Sequence, residues 1–366
     1  MVGFESLVGQ KRVKEELLKI IGSSKLPHSF LFYGTKGVGK FHTALELIEL
    51  LNSKSSKLND STKSKINNLQ EPYIKYIIPL PRGKNENASD SALEKLSKET
   101  FELYKTELSS KIKNHYYKIN IPGANNIKIN SIREIKDFLS YNLSDVAYRF
   151  IIIEDAHLMS EEAQNALLKS LEEPPPGFIF ILITDKADLL LETIKSRCVK
   201  IHFDPLSNDE IASILIRHFK IEPDNAHSVA NFSSGSIYEA SRLLEIDIDA
   251  AQKLVVNILR NCLSGKYSSA LKEINGFISD DQVELIKHLM NLIIIWLADV
   301  QRIRNYKDQL HFLNHSETLE KFAQKYSTAS VNNALDKLSV IHDNILRNLN
   351  LNIAILNIIF ELSSIR

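Results

Sequence analysis

The sequence predicts an α/β protein, a parallel sheet with flanking helices, continued by an all-helical C-terminal region. Three observations predict it. The run Ser29–Tyr33 ends in a glycine-rich turn that opens a helix; the β-branched runs Phe150–Ile153 and Phe178–Ile183 bracket a helical segment; and strand-like runs cease after Pro205. Strands that alternate with helices imply a parallel sheet, because parallel neighbours need a long crossover between them.

Taken in order, Val13, Leu17, Ile20 and Ile21 fall at helical spacing, and Gly22 with Pro27 closes that helix. Ser29–Tyr33 reads as a strand, and Thr43–Leu51 resumes helical periodicity. Residues 52–68 are rich in Ser, Lys and Asn, and polar sequence continues to Asn87 before helical patterning returns near Leu93. The stretch from about 52 to 115 therefore reads as a partly mobile insertion, a solvated arm with no role of its own. Ile127–Asn130 predicts a short strand, with Ile132, Ile135 and Leu139 on the helix after it. A helix over Glu161–Leu171 is stopped by Pro174–Pro176, since proline has no N–H and disfavours helical geometry in the residue before it. Further on, the run Leu292–Ala298 with Trp296 reads as a buried helix, and Val331, Ala334, Leu335, Leu338, Ile341 and Ile345 share one helix face. The expected division is an α/β domain over 1–205, a small helical unit over 206–247 and a longer helical domain over 248–366.

Composition excludes some partners. Lys+Arg and Asp+Glu both total 45, so there is no global attraction for nucleic acid and any contact must be local. The two cysteines, Cys198 and Cys262, lack the paired spacing of a zinc site or disulfide framework, which fits a reducing, cytoplasmic setting without zinc. His28, His42 and His157 show no metal-ligand spacing. The N-terminus lacks a basic stretch followed by an apolar one, and Leu292–Ala298 is too short to span a bilayer, so neither a secretory signal nor a membrane partner is expected.

The run Gly34-Thr-Lys-Gly37-Val-Gly39-Lys40 matches the core of a P-loop, in which backbone N–H groups and a helix N-terminus hold phosphate oxygens and the lysine meets their charge. The next residue should carry a hydroxyl for Mg²⁺, but it is Phe41. Thr43 lies two positions further, and about 100° of helical turn per residue points it elsewhere. At the end of the 150–153 strand stand Glu154 and Asp155, in the reverse of the Asp–Glu order that hydrolytic P-loop enzymes use. Moving a carboxylate by one methylene displaces its oxygen by about 1 Å, enough to cost roughly a hundredfold in rate. Efficient Mg²⁺-dependent hydrolysis is not expected. Two readings of the loop stay open, a weak ATP or ADP site and a turn that packs strand against helix; the acidic pair likewise reads either as a degenerate metal site or as a strand end that starts a helix.

These residues carry a resemblance. Residues 151–184, above all Asn165-Ala-Leu-Leu-Lys-Ser-Leu-Glu-Glu-Pro174, together with Ser196-Arg197-Cys198, Val8-Gly9-Gln10 and Leu26–Phe32, resemble the bacterial clamp-loader subunits of the AAA+ class. The resemblance spans roughly residues 1–245 and reaches the C-terminal helices by architecture only. It implies a P-loop AAA+ domain, a helical lid and a C-terminal collar, with Thr184 at the position called sensor 1. It also implies that Arg197 projects into the ATP site of an adjacent subunit as an arginine finger, and that Cys198 is a packing residue. Gly235–Ala240 resembles the sensor 2 segment, with Tyr238 in place of its arginine. Phe41, the inverted acidic pair and Tyr238 depart together from the ATPase pattern while Arg197 is kept, which resembles the delta-prime class of the DNA polymerase III holoenzyme. That class implies gamma or tau and delta subunits, a sliding clamp and, through the complex, primer–template DNA as partners. The four-cysteine zinc module that many clamp-loader subunits carry has no counterpart here, which removes any role inherited from it. The alternatives are a catalytically active gamma/tau-type ATPase with a rearranged metal site and a free-standing nucleotide-binding module.

Overall fold

The computed structural model describes residues 3–23, 25–53, 66, 69, 73–87, 90–140, 147–278, 283–305, 310–327, 331–345 and 350–365. Much of the polar stretch expected to form an arm, including 54–65, lies outside the described residues. Two compact units divide the chain, Met1–Glu239 and Ala240–Arg366.

The first unit is built on a five-stranded sheet in the order β2-β3-β4-β1-β5, parallel at every pairing. Its strands are β1 (Ser29–Gly34), β2 (Ile74–Ile77), β3 (Arg149–Ile153), β4 (Phe178–Thr184) and β5 (Val199–Phe203). β4 is buried along its whole length, as an apolar central strand covered on both faces should be. Helix α1 (Lys11–Gly22) packs on β5, and α2 (Lys40–Ser53), which follows β1, packs on β4. On the sheet face that carries Leu31, Ile151, Phe180 and Leu182, α4 (Ile129–Ser140) contributes Ile132 and Ile135, and α5 (Glu161–Glu172) contributes Ala163, Leu167 and Leu171. Helix α3 (Lys98–Lys113) lies within the expected insertion, its N-terminus capped by the Ser97 side chain. A single turn, α6 (Glu192–Lys195), leads into β5. Next come α7 (Asn208–Phe219), started by a reciprocal Ser207–Glu210 capping box, α8 (Pro223–Phe232) and α9 (Ile237–Leu243).

One expected strand is corrected. Ile127–Asn130 does not join the sheet: Ile127 makes one isolated bridge to Met159, and α4 already begins at Ile129. The edge strand is Ile74–Ile77 instead. Its Lys75 and Tyr76 break the apolar run, because only one of its four residues is fully buried, and such an edge needs no continuous hydrophobic pattern.

The second unit holds helices and, among its described residues, no strand: α10 (Ile248–Leu263), α11 (Tyr267–Phe277), α12 (Val283–Arg304), α13 (Ser316–Lys325), α14 (Val331–Ile345) and α15 (Leu351–Ser363). Helix α12 is its centre and packs on α10, α13 and α14. Trp296 on α12 is buried and meets the Phe322 ring edge-on at 4.7 Å between centroids. Three residues along α12, Asp299 is fully buried and accepts from the Arg302 guanidinium at 2.7 Å, from His311 N–H at 2.7 Å and from Phe312 N–H at 2.9 Å. His311 Nδ1 lies 2.9 Å from the same carboxylate. The segment after α12 is thereby pinned back onto it. Among the described residues no helix is long and apolar enough to cross a membrane.

Burial alone would raise the Asp299 pKa, but the hydrogen bonds from His311 and Phe312 hold it below the ordinary carboxylate value. A depressed folded pKa adds stability that is present above the unfolded pKa and is lost as pH falls through the folded one. Asp299→Asn should therefore cost about 1–3 kcal/mol at neutral pH, and the gap from wild type should narrow as pH falls below about 4. Urea denaturation at the two pH values checks this.

Candidate functional site

The carboxyl ends of parallel strands are where α/β proteins form their crevices, and here the ends of β1, β3 and β4 converge. The chain leaves β1 at Gly34, turns through Gly37 and Gly39 and enters α2 at Lys40. Two of these glycines answer to close approach. Gly34 has φ +135°, and a Cβ there would stand 2.2 Å from the Phe203 carbonyl; Gly37 has φ +68°, and a Cβ there would stand 2.3 Å from the Tyr238 amide nitrogen. The start of α9 is laid directly on the loop. Ser236 Oγ donates to Lys36 O at 2.8 Å, Ile237 N–H donates to Gly37 O at 3.2 Å, and the Lys36 ammonium lies 5.5 Å from the Tyr238 ring centroid.

Lys40 is buried and turns onto its own loop, donating to Gly34 O at 2.7 Å and Thr35 O at 2.6 Å. Burial pulls its pKa down to about 8, against the attraction of Asp185 and Glu154. Phe41 is buried too, its ring 5.1 Å from Tyr76. The Thr43 hydroxyl donates to Gly39 O at 2.9 Å inside α2 and is not available to the cleft.

The acidic pair is fully engaged. Glu154 accepts from the Tyr76 hydroxyl and from Lys111 Nζ at 3.1 Å, while Asp155 pairs with Lys118. Thr184, at the end of β4, accepts from Lys186 N–H at 3.0 Å and stands 3.0 Å from His157 Nδ1. Asp185 lies 3.4 Å from His157 and 3.5 Å from Lys36. Asp155, His157 and Asp185 thus offer ligand atoms within 4.8 Å of one another, a convergence made by the neighbouring ends of β3 and β4 and invisible in their spacing. Lys118 and Lys36 already pair with its two carboxylates.

Mg²⁺ takes six oxygen ligands in near-octahedral geometry at about 2.0–2.1 Å. Phe41 supplies none, and the carboxylates next to it hold ammonium groups, so the residues present do not fit a Mg²⁺-nucleotide site. Lys111, His115, Tyr116, Tyr117 and Lys118 line the P-loop side of the cleft together with Phe41 and Tyr238, where the cavity is about 50 Å³, far below the roughly 300–1,000 Å³ of small-molecule pockets. Sequence reading singled out Phe41 and Tyr238 but missed the others: Lys111 and His115 fall in the segment taken for a solvated arm, and Tyr116, Tyr117 and Lys118 directly follow it. The signal that could have found them is charge complementarity: two carboxylates at a strand end with no hydroxyl partner for a metal need cations from elsewhere.

Arg197 sits apart from this cleft, just before β5. Its Nε donates to Glu172 Oε1 at 2.9 Å and its Nη1 to Thr193 O at 2.8 Å. Cys198 is buried, and burial pushes its thiol pKa up to about 12, which leaves it unreactive.

The sequence family described as DNA polymerase III, delta subunit, matches residues 9–207, more than half of the chain. The chain belongs to this clamp-loader family. Similar curated proteins include the DNA polymerase III subunit gamma of Buchnera aphidicola subsp. Acyrthosiphon pisum, 26% identical over 92% of this chain and 84% of that one. The subunit tau of Bacillus subtilis is 27% identical over 66% of this clamp-loader chain, which spans only 37% of that relative's length. Among solved structures, a gamma subunit-related protein of Thermotoga maritima aligns over 96% of this chain and 98% of its own, at 20% identity and a TM-score of 0.43. These relatives bear gamma and tau names, so membership of the clamp-loader family does not single out the delta-prime class.

The contact between loop and α9 generates a prediction for this clamp-loader chain. Gly37→Ala forces a left-handed residue against the Tyr238 backbone and should lower stability by at least about 1–2 kcal/mol, read as an earlier thermal transition.

Proposed function

We propose that this clamp-loader subunit is a non-hydrolysing stator of the delta-prime type, which lends Arg197 to the ATP site of an adjacent subunit. In this reading it assembles with gamma or tau and delta subunits and takes part in loading a sliding clamp onto primer–template DNA. The observation that carries it is the placement of Arg197. β5 begins two residues after Arg197 and runs parallel to β1, whose far end forms the P-loop. Five residues at about 3.3 Å each put roughly 16 Å between the two edges. Arg197 therefore cannot serve its own cleft, while a subunit docked at the opposite edge comes within its reach. Its side chain is one-third exposed and steadied by Glu172, a partner that a phosphate could replace.

The proposal keeps the division into an α/β domain over 1–205, a lid over 206–247 and a collar over 248–366. Ile353, Leu356 and Phe360 support the collar: at i, i+3 and i+7 they form an exposed apolar stripe on α15, the face opposite buried Ile355, Ile358 and Ile359. The second reading, an active gamma/tau-type ATPase, is favoured by the gamma and tau relatives and by the retained Gly34–Lys40 run.

Arg197→Ala should change the stability of the isolated chain by less than about 1 kcal/mol, since it removes only a partly exposed ion pair. Reconstituted with gamma or tau and delta, the same variant should lower the ATPase rate of the complex, and Arg197→Lys should not restore it because a point charge does not replace a planar fork. An unchanged rate would remove Arg197 from catalysis. Mg²⁺-dependent turnover by the pure chain, abolished by Lys40→Ala, would establish the second reading instead. Leu356→Asp with Phe360→Asp should weaken assembly, seen as earlier dissociation of the complex on dilution in size-exclusion chromatography, while the isolated chain keeps its fold.

A further inference from the structure

In P-loop hydrolases the acidic residues at the end of the central strand and the hydroxyl after the P-loop lysine act together on one divalent cation. Here the hydroxyl is replaced by a benzyl group and the two carboxylates are occupied. We propose that Lys111 and Lys118 are the chain's own replacement for that cation: two tethered ammonium groups supply the two positive charges, and the segment 111–118 is a built-in occupant that keeps a divalent metal ion out of the cleft. The inference deepens the stator reading and rests on it for the cleft, but it does not involve Arg197.

Phe41 and the Glu154–Asp155 pair, which depart together from the ATPase pattern, also fit one another in space. Phe41 offers no ligand to Mg²⁺, yet the face of its ring attracts an ammonium, and the Lys111 Nζ stands 4.4 Å from its centroid. The same Nζ donates to Glu154 at 3.1 Å and to the Tyr117 carbonyl at 2.8 Å, so the charge is held by a ring, a carboxylate and a backbone oxygen at once. Lys118 meets Asp155, so the charges balance, two for two. A buried ammonium without such partners would give up its proton; burial lowers the Lys111 pKa against the pull of Glu154, and Asp155 with Glu154 holds Lys118 above its ordinary value despite its burial.

The occupying segment is anchored between its lysines and just beyond the second. Tyr117 donates to Glu107 on α3 at 2.9 Å, and the Asn120 N–H donates to the same carboxylate at 2.6 Å. Tyr116 is buried between His42 of α2, stacked at 5.5 Å, and His218 of α7, edge-on at 5.4 Å. The ammonium groups are thus delivered by a packed strap and not by chance surface side chains. Retaining Glu154 and Asp155 then serves to fasten this strap to the end of β3.

The test titrates the full chain with Mn²⁺ alone, read by electron paramagnetic resonance, in wild type, in Lys111→Met with Lys118→Met, and in that double variant with Glu154→Gln and Asp155→Asn added. Methionine keeps the length of lysine without its charge, so the double variant leaves two uncompensated carboxylates. It should bind Mn²⁺ at least about tenfold more tightly than wild type, its melting temperature should rise with Mn²⁺ while that of wild type does not, and the quadruple variant should lose the gain. Wild type that binds Mn²⁺ as tightly as the double variant overturns the proposal, as does a folded double variant without the gain. If the double variant folds only with Mn²⁺, the proposal stands; if it folds under neither condition, Lys118→Met alone is judged by the same comparison. Wild type that binds Mn²⁺ as tightly as the double variant without hydrolysing ATP sinks this inference and leaves the stator reading, whereas ATP turnover by the pure chain sinks the stator reading.

Discussion

All five strands run the same way, and that constraint gives the sheet two unlike edges. At one edge the chain leaves β1, β3 and β4, bringing Lys40, Glu154, Asp155, Thr184 and Asp185 within reach of one another. At the other it enters β4 and β5, and there α5 ends and Arg197 is held by Glu172. A group on one edge is separated from the other by the length of the strands, so a subunit can lose chemistry at the first and keep it at the second. The ion-paired cleft and Arg197 are therefore independent features. They occupy surfaces that strand direction alone keeps apart.

The cleft edge is governed by electrostatics. Carboxylates removed from water cost free energy unless a cation and hydrogen bonds compensate them. A divalent metal is one solution, and it demands oxygen ligands at fixed distance. Two lysines on an anchored segment are another, and they place no demand on residue 41 except tolerance of a positive charge, which an aromatic ring provides. The Tyr76 hydroxyl on Glu154 completes the shell, and burial against that carboxylate drives its own pKa well above the usual phenol value, so it stays protonated and donates to Glu154. The cluster is coherent as a set of ion pairs and incoherent as a metal site.

How far the sequence could be read follows from how local each signal is. β1, β3 and β4 are continuous apolar runs because both of their faces are covered, and the P-loop glycines stand at fixed offsets, so both were legible. β2 was not, since an edge strand with Lys75 and Tyr76 carries no such run, and Ile127–Lys128–Ile129 offered a better alternation in the wrong place. Phe41 and the inverted Glu154–Asp155 pair announced an unusual site through what they lack. Charge complementarity called for cations beside that pair but could not single out Lys111 and Lys118, which lie some forty positions before their partners among many other lysines. Composition suits a solvated arm and a packed strap equally; only the fold decides which lysines are buried.

The P-loop motif itself shows how much of such a pattern the fold alone accounts for. Gly34 is required by the Phe203 carbonyl of the adjacent strand, and Gly37 by the Tyr238 backbone at the start of α9. Lys40 ties the turn by donating to the carbonyls of Gly34 and Thr35, and Thr43 closes the first turn of α2 onto Gly39. Each of these residues has a packing or hydrogen-bonding task that calls on no phosphate. The hydroxyl at position 41 is different, because its only task in such a motif is to meet the metal, and it is the element that has been exchanged. The fold therefore accounts for Gly34, Gly37 and Lys40 in this loop and makes no demand for a hydroxyl at position 41.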